Sequence, residues 1–252
     1  LGEQGVSREA VIALLSRGLI APVITAHPSE VRRKSVLDRQ NAIAGDLEAM
    51  DRAASDAERR RAEADLRRQV SILWRTRLLR NVRVAVDDEI ENAVSYFEHS
   101  FLPALPALYA HWQETLGAET AMKSFLRVGS WVGGDRDGNP NVEGGMMRKA
   151  LSRQSGAALR LYLEQIDALG AELSLSSRFT RVTPELQALA DRANDASPQR
   201  ADEPYRRSLT GVYARLAATL TLLTGERPAR TPIAKGEPHA NPSDLKDDLT
   251  AV

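Results

Sequence analysis

The sequence predicts a mainly α chain of long helices joined by a few short β-strands. Three observations predict it. Apolar residues recur at helical spacing over most of the 252 positions. Two apolar runs, 20–26 and 125–132, break that rhythm and are too short for core helices. Proline, glycine and polar clusters separate the periodic stretches where helices should stop.

The elements follow in order. Residues 6–19 carry Val11, Leu14, Leu15 and Leu19 on a helical pattern opened by Ser7, a good N-cap. Val23, Ile24 and Thr25 are β-branched and mark a buried strand. Helical character returns from Pro28 to about Met50 through Val31, Leu37, Ile43 and Leu47. A second, basic helix spans 56–80. There Arg59, Glu63 and Arg67 are spaced by four, as are Arg61 and Asp65, which reads as a solvated face laced with ion pairs. Its buried side is expected at Leu66, Val70, Leu73 and Trp74, and the two helices join near 51–56.

A further helix is expected over 87–101, with a break at Pro103 and Pro106 before helix resumes through Leu108 and Trp112. After the second strand, one long helix covers 143–173, its face formed by Met147, Leu151, Ala158, Leu161, Ile166, Leu169 and Leu173. Thr183 and Pro184 open a shorter helix. Residues 195–204 form a polar connector, and helix returns over 205–224. From Gly225 onward Pro228, Pro232, Pro238 and Pro242 mark 225–252 as an irregular segment. No internal repeat is present.

Composition narrows the function. Lysine plus arginine and aspartate plus glutamate balance at 34 each, which argues against a nucleic-acid or anionic-membrane partner. The absence of cysteine removes disulfides, thiolate metal sites and thiol nucleophiles, and suits a reducing, cytoplasmic setting. No apolar run approaches the roughly 20 residues of a membrane span. The chain opens on Leu1 without a leader pattern and closes on KDDLTAV, which reads as a piece of a longer protein.

Two stretches concentrate chemistry. In "VITAHPSEVRRKS" (23–35) a strand runs into Ala26, and Pro28 suits a first helical position, which places His27 at the N-cap. A helix N-terminus disfavours imidazolium, keeps His27 neutral and usable as a base, and offers the N–H groups of Ser29 and Glu30 to an anion. Consecutive helix residues diverge, so at most one or two of Arg32, Arg33 and Lys34 face that anion. In "VGSWVGGDRDGNPNV" (128–142), Gly133 and Gly134 permit close backbone approach, while Gly138, Asn139 and Pro140 make a tight turn. Asp135 and Asp137 flank Arg136, which is thereby oriented as a fork for phosphate or carboxylate.

An EF-hand fails because its sixth position falls on Pro140, and a dinucleotide fingerprint fails on glycine spacing. On its own Trp131 reads as a core aromatic. His99, His111 and His239 read as surface or helix-packing residues, with no partners at metal spacing.

Together, TAHPSEVRRKS and GSWVGGDRDGNPNV resemble two signature segments of the bacterial-type phosphoenolpyruvate carboxylase family. LWRTRLLR, DEIENAVSYFEHSFL and LYLEQIDALGAELSLS are similar to supporting stretches, in the same order, from about residue 5 to the end. The resemblance implies conversion of phosphoenolpyruvate and bicarbonate to oxaloacetate and phosphate, with Mg²⁺ or Mn²⁺ in the full-length enzyme. It implies His27 as catalytic base, and Trp131, Asp135, Arg136, Asp137 and Asn139 as substrate-pocket residues. Arg33 and Arg80 align more weakly with a sugar-phosphate activator site, where Lys34 replaces a second arginine of several relatives. Ser29 and Glu143 stand where threonine is usual.

The resemblance also implies a homotetramer for the intact enzyme, with metal ligands and a mobile glycine-rich loop in a later part of the chain, so residues 1–252 are expected to be the N-terminal portion and inactive alone. The two strands then supply part of an incomplete (β/α)8-type barrel. The alternative is a non-enzymatic helical module that binds phosphate metabolites through Arg32, Arg33, Arg80 and Arg136.

Overall fold

The computed structural model describes residues 5–25, 32–77, 85–117, 122–134 and 142–252. It is mostly helical, with a two-stranded parallel sheet that does not close into a barrel. The chain divides into two compact units, Leu1–Ala150 and Leu151–Val252. Among the described residues no helix is long and apolar enough to cross a membrane.

In the first unit, α1 (Arg8–Arg17) starts where the Ser7 hydroxyl accepts from the Ala10 N–H, the cap the sequence predicts. Strand β1 (Val23–Ile24) follows. Helix α2 (Lys34–Arg52) begins later than expected: Arg33 is its N-cap, with extended backbone, so no continuous helix runs from Pro28. Helix α3 (Asp56–Trp74) is capped by the Ser55 hydroxyl and packs along α2.

The ion-paired face of α3 is present, with Glu63 to Arg67 at 2.7 Å and Asp65 to Arg68 at 2.9 Å. These pairs are exposed and contribute little each. The apolar side is a correction. Val70 and Trp74 are exposed, Trp74 at 89%, and Ala62 rather than the larger side chains is buried. Each helix of this pair buries one residue, Val36 in α2 and Ala62 in α3.

The proline break also differs. Helix α4 (Val86–Tyr96) passes through one π turn (Phe97–Phe101) into α5 (Leu102–Leu116), and both Pro103 and Pro106 lie within α5. The Leu102 N–H reaches back five residues to the Phe97 carbonyl. One wide turn ahead of Pro103 lets the chain continue as helix where an unbroken α-helix would meet the ring. At the start of α4 the Asp88 carboxylate accepts from the Ala85 N–H. Strand β2 (Gly129–Ser130) then pairs with β1.

Gly133, just beyond β2, has φ +82°, and a Cβ there would lie 2.7 Å from the Ala150 Cβ and 3.1 Å from the Ile90 Cδ1. The sharp turn and the close approach both demand glycine.

Helix α6 (Gly144–Glu172) has nearly the predicted bounds, but its buried stripe is shifted. Met147 and Leu151 are exposed, while Leu159, Leu163 and Ile166 are buried. The second unit is built on α8 (Pro204–Thr224), ten of whose residues are buried. Leu209, Val212, Leu216 and Leu220 meet the α6 stripe and Leu189 of α7 (Pro184–Arg192), with Leu169 and Leu173 at the margin.

Thr183 caps α7, as its sequence predicts, and Gly225 ends α8 at φ +74°. The polar connector before α8 is ordered by a nearly buried pair: Arg200 donates to both oxygens of Asp195, at 2.6 and 2.8 Å. That bond, first, holds the Asp195 carboxyl below its ordinary pKa. The segment expected to be irregular to the end is coil only as far as Asn241. There Asn241 caps a helix, α9 (Pro242–Ala251), whose Leu245 and Ala251 pack on the α8 core.

Two outcomes follow from this packing. Gly133→Ala should destabilise the first unit by about 2 kcal/mol, through positive φ and overpacking. A urea titration read by tryptophan fluorescence reports it, since Trp74, Trp112 and Trp131 all lie in that unit. Leu220→Ala, at a site with 0% exposure, should cost the second unit about 3 kcal/mol, read as an earlier loss of helical circular dichroism in urea.

Candidate active site at the end of the strand pair

A parallel ladder joins the two signature stretches. The Ile20 N–H donates to the Phe125 carbonyl at 2.6 Å, and the Arg127 N–H to Ile20 at 2.9 Å. The ladder continues from Gly129 to Pro22 at 2.9 Å and from Trp131 to Ile24 at 3.0 Å. Val23 stands opposite Gly129 and Ile24 opposite Ser130. Pro22 gives only its carbonyl to this edge, so its missing N–H costs nothing there.

The segment leading into β2, where Leu126 bridges to Ile20, is anchored by α5. The Tyr109 hydroxyl accepts from the N–H groups of Phe125 and Leu126, both at 2.9 Å, and the Tyr109 and Phe125 rings sit 5.0 Å apart.

Because the strands are parallel, their carboxyl ends lie together. β1 leads through Thr25 toward His27, and β2 leads directly into Trp131 and the glycine pair. Active-site groups of α/β proteins gather at such strand ends. His27 itself, with Asp135, Arg136, Asp137, Asn139 and Arg80, lies outside the described residues. Helix α2 has its N-terminus at Lys34, and the N-cap position expected for His27 also lies outside the described residues. The Ser29 and Glu30 N–H groups are likewise outside the described residues.

Trp131 is described, and it is not the core aromatic that its type alone suggests. It is 55% exposed at the end of β2, while its neighbour Val132 is buried. Alternation along a strand explains this: burial of Val132 turns Trp131 outward. A turn follows, closed by the Gly134 N–H on the Trp131 carbonyl at 3.0 Å, and the Ser130 hydroxyl accepts from the Val132 N–H at 3.2 Å. Gly133 is pinned between Ile90 of α4 and Ala150 of α6. Beyond residues 135–141 the chain re-enters at buried Val142. A cavity of about 260 Å³ lies between these two ends, lined by Gly133, Gly134, Val142, Glu143, Gly144 and Met147. Lys149 of α6 meets Asp87 of α4 at 2.5 Å, a half-exposed brace across the same two helices.

The basic triple has three separate partners. Arg32 donates to the Gln40 side chain at 2.8 Å, Arg33 to the Arg77 carbonyl at 2.9 Å, and Lys34 to Asp38 at 3.4 Å. Arg33 therefore reaches the chain just past α3, three residues before Arg80. Among the described residues no group of three or more histidine, aspartate or glutamate side chains is placed to hold a metal ion, so none of them is assigned to a divalent cation.

Sequence reasoning missed a polar cluster in the second unit. His239 is buried, and its Nε2 lies 3.2 Å from Asp248, which also accepts from Arg215. The cap Asn241-Pro242 was the available signal, since it starts the helix that carries Asp248.

Residues 1–252 match the family described as phosphoenolpyruvate carboxylase. The phosphoenolpyruvate carboxylase of Azoarcus sp. (strain BH72) is 46% identical over 259 residues, which cover 100% of this chain and 28% of that protein. That of Aromatoleum aromaticum (strain DSM 19018 / LMG 30748 / EbN1) is 45% identical over 98% of this chain and 28% of its own length. That of Ralstonia nicotianae (strain ATCC BAA-1114 / GMI1000) is 45% identical over 99% of this chain and 26% of its own length. The chain thus spans about 28% of the length of the first two of these relatives. A match along its whole length at this identity places the chain in the phosphoenolpyruvate carboxylase family.

Proposed function

We propose that this chain is part of an enzyme that forms oxaloacetate and phosphate from phosphoenolpyruvate and bicarbonate, and that His27 is its general base. The observation that supports the reading is the parallel pairing of β1 with β2, which sets the carboxyl ends of the two strands side by side, each followed in the sequence by one of the two motif stretches. Exposed Trp131 and the cavity beside Gly133 and Gly134 support a pocket there.

In this reading a bicarbonate oxygen attacks the phosphoryl group, giving carboxyphosphate and the enolate of pyruvate. His27 takes the carboxyphosphate proton, the C–O bond to phosphate breaks, and carbon dioxide is released beside the enolate. The enolate carbon then adds to carbon dioxide to give oxaloacetate. A histidine imidazole is the side chain that most often serves as a general base. Arg136, oriented by Asp135 and Asp137, binds an anionic group of the substrate, with Asn139 in the turn behind it.

The family's Mg²⁺ or Mn²⁺ supplies charge neutralisation at the phosphoryl group when bound, and in this reading its ligands belong to a later part of the full-length enzyme rather than to residues 1–252. Arg33 and Arg80 are the weaker assignment, to an activating phosphate. The intact enzyme is a cytoplasmic homotetramer in this reading, and residues 1–252 alone do not turn over.

His27→Asn in a chain of the relatives' full length should lower oxaloacetate formation about a hundredfold or more, the scale of a lost general base. Bicarbonate-dependent phosphate release should persist, because the attack precedes the proton transfer. A coupled malate-forming assay beside a phosphate assay reads both. Unchanged carboxylation in that variant, or turnover by the 252-residue chain, overturns the reading.

A further inference from the structure

The last helix of the second unit is held to its core through one buried carboxylate. Asp248 of α9, 7% exposed at its side chain, accepts from the guanidinium of Arg215 on α8 and lies 3.2 Å from His239 Nε2. Arg192 of α7 approaches its other oxygen at 4.0 Å. The coil carrying His239 is fixed to α8 as well. The His239 N–H donates to the Thr219 hydroxyl at 2.9 Å, and Gly236 lies so close that a Cβ would stand 2.8 Å from the Arg215 backbone nitrogen.

The His239 ring is 4% exposed at its side chain, and its Nδ1 meets no partner among the described residues. With Nε2–H donating to Asp248, Nδ1 is a lone pair buried without a protein donor among the described residues. Adding a proton there creates a buried, unpaired N–H and a second cation beside Arg215, against one shared carboxylate. The charged groups that face the ring are Asp248 and Asp244 on α9 and Arg215 on α8, with Arg192 of α7 reaching Asp248.

We propose that the coil around His239 and α9 form a proton-released latch on α8, closed while His239 is neutral and loosened when it is protonated. Burial first, and Arg215 second, push the His239 pKa down, against the pull of Asp248 and Asp244. A histidine with a lowered folded pKa contributes stability that is complete above the unfolded value of about 6.5. That stability drains as pH falls from there toward the folded value. The latch has a structural consequence, because the same coil supplies Pro228, Pro232, Ala234, Lys235 and Gly236 to the wall of a cavity of about 1050 Å³ against α7 and α8. Release of the latch opens that cavity.

Hydrogen exchange on the 252-residue chain, compared as opening free energies between pH 7.5 and 5.5, tests this. Amides of α9 and of His239 should lose protection several-fold below pH 6.5, tenfold per pH unit being the ceiling for one proton. Core amides of α8 should keep theirs. His239→Gln, which keeps a donor toward Asp248 but cannot titrate, should hold α9 protection flat over the range. The proposal is overturned by equal acid loss in His239→Gln, by no loss in the parent chain, or by loss spread evenly over α8. If His239→Gln leaves α9 undocked at pH 7.5, the ring's own titration decides by NMR. A midpoint below 6.5 that coincides with α9 release supports the latch, and a midpoint at or above 6.5 ends it.

Discussion

Four hydrogen bonds between residues about a hundred positions apart organise everything of functional interest in the first unit. They run from Ile20 to Ile24 on one side and from Phe125 to Trp131 on the other, in parallel register. Parallel strands need a long crossover, and here the crossover is the helices α2 to α5. Side chains alternate along a strand, so a slip of one residue would turn Trp131 inward and Val132 out. Tyr109 guards against such a slip by accepting from two successive N–H groups, of Phe125 and Leu126, just ahead of β2. Gly133 guards the other end, where only a glycine fits between Ile90 and Ala150.

The second unit rests on different physics. Its centre is α8, a helix with ten buried residues, whose packing against α6 and α7 removes large apolar side chains from water. Most polar groups that enter this core have partners: Ser208 donates to the Leu186 carbonyl, Thr219 receives the His239 N–H, and Tyr213 donates to the Arg230 carbonyl at 2.9 Å. Among the described residues, His239 Nδ1, Arg207 Nε and one Glu203 oxygen are buried there without a hydrogen-bond partner. A buried lone pair without a donor is costly, and the cost is tolerated where Asp248 ties three cationic or ionisable side chains to one point. The same arrangement makes the site sensitive to a single proton.

Local signals were read correctly where the physics is local. Ser7, Thr183 and Gly225 sit at helix ends because a hydroxyl or a positive φ satisfies backbone groups within three or four residues. The prolines at 103 and 106 misled for the opposite reason. Their effect depends on whether the preceding turn widens, and one π turn absorbed it. Helix α9 was overlooked although Asn241-Pro242 is a good start signal, because proline density suggested coil. In the site, the two motifs were legible as residues, while Trp131 was mistaken for core because burial is a property of what stands opposite.

The sequence by itself determined which motifs the chain carries, where most helices start and stop, and the family to which the chain belongs. Those are matters of side-chain identity and of contacts within a few residues. Only the tertiary structure decided that β1 and β2 are neighbours, which stripe of α6 is buried, and that Val70 and Trp74 face out. It alone joined His239, Asp248 and Arg215, which no spacing along the chain connects. Hydrogen-bond register and apolar burial are settled between segments far apart in the chain, and residue spacing within any one segment carries no record of its partner.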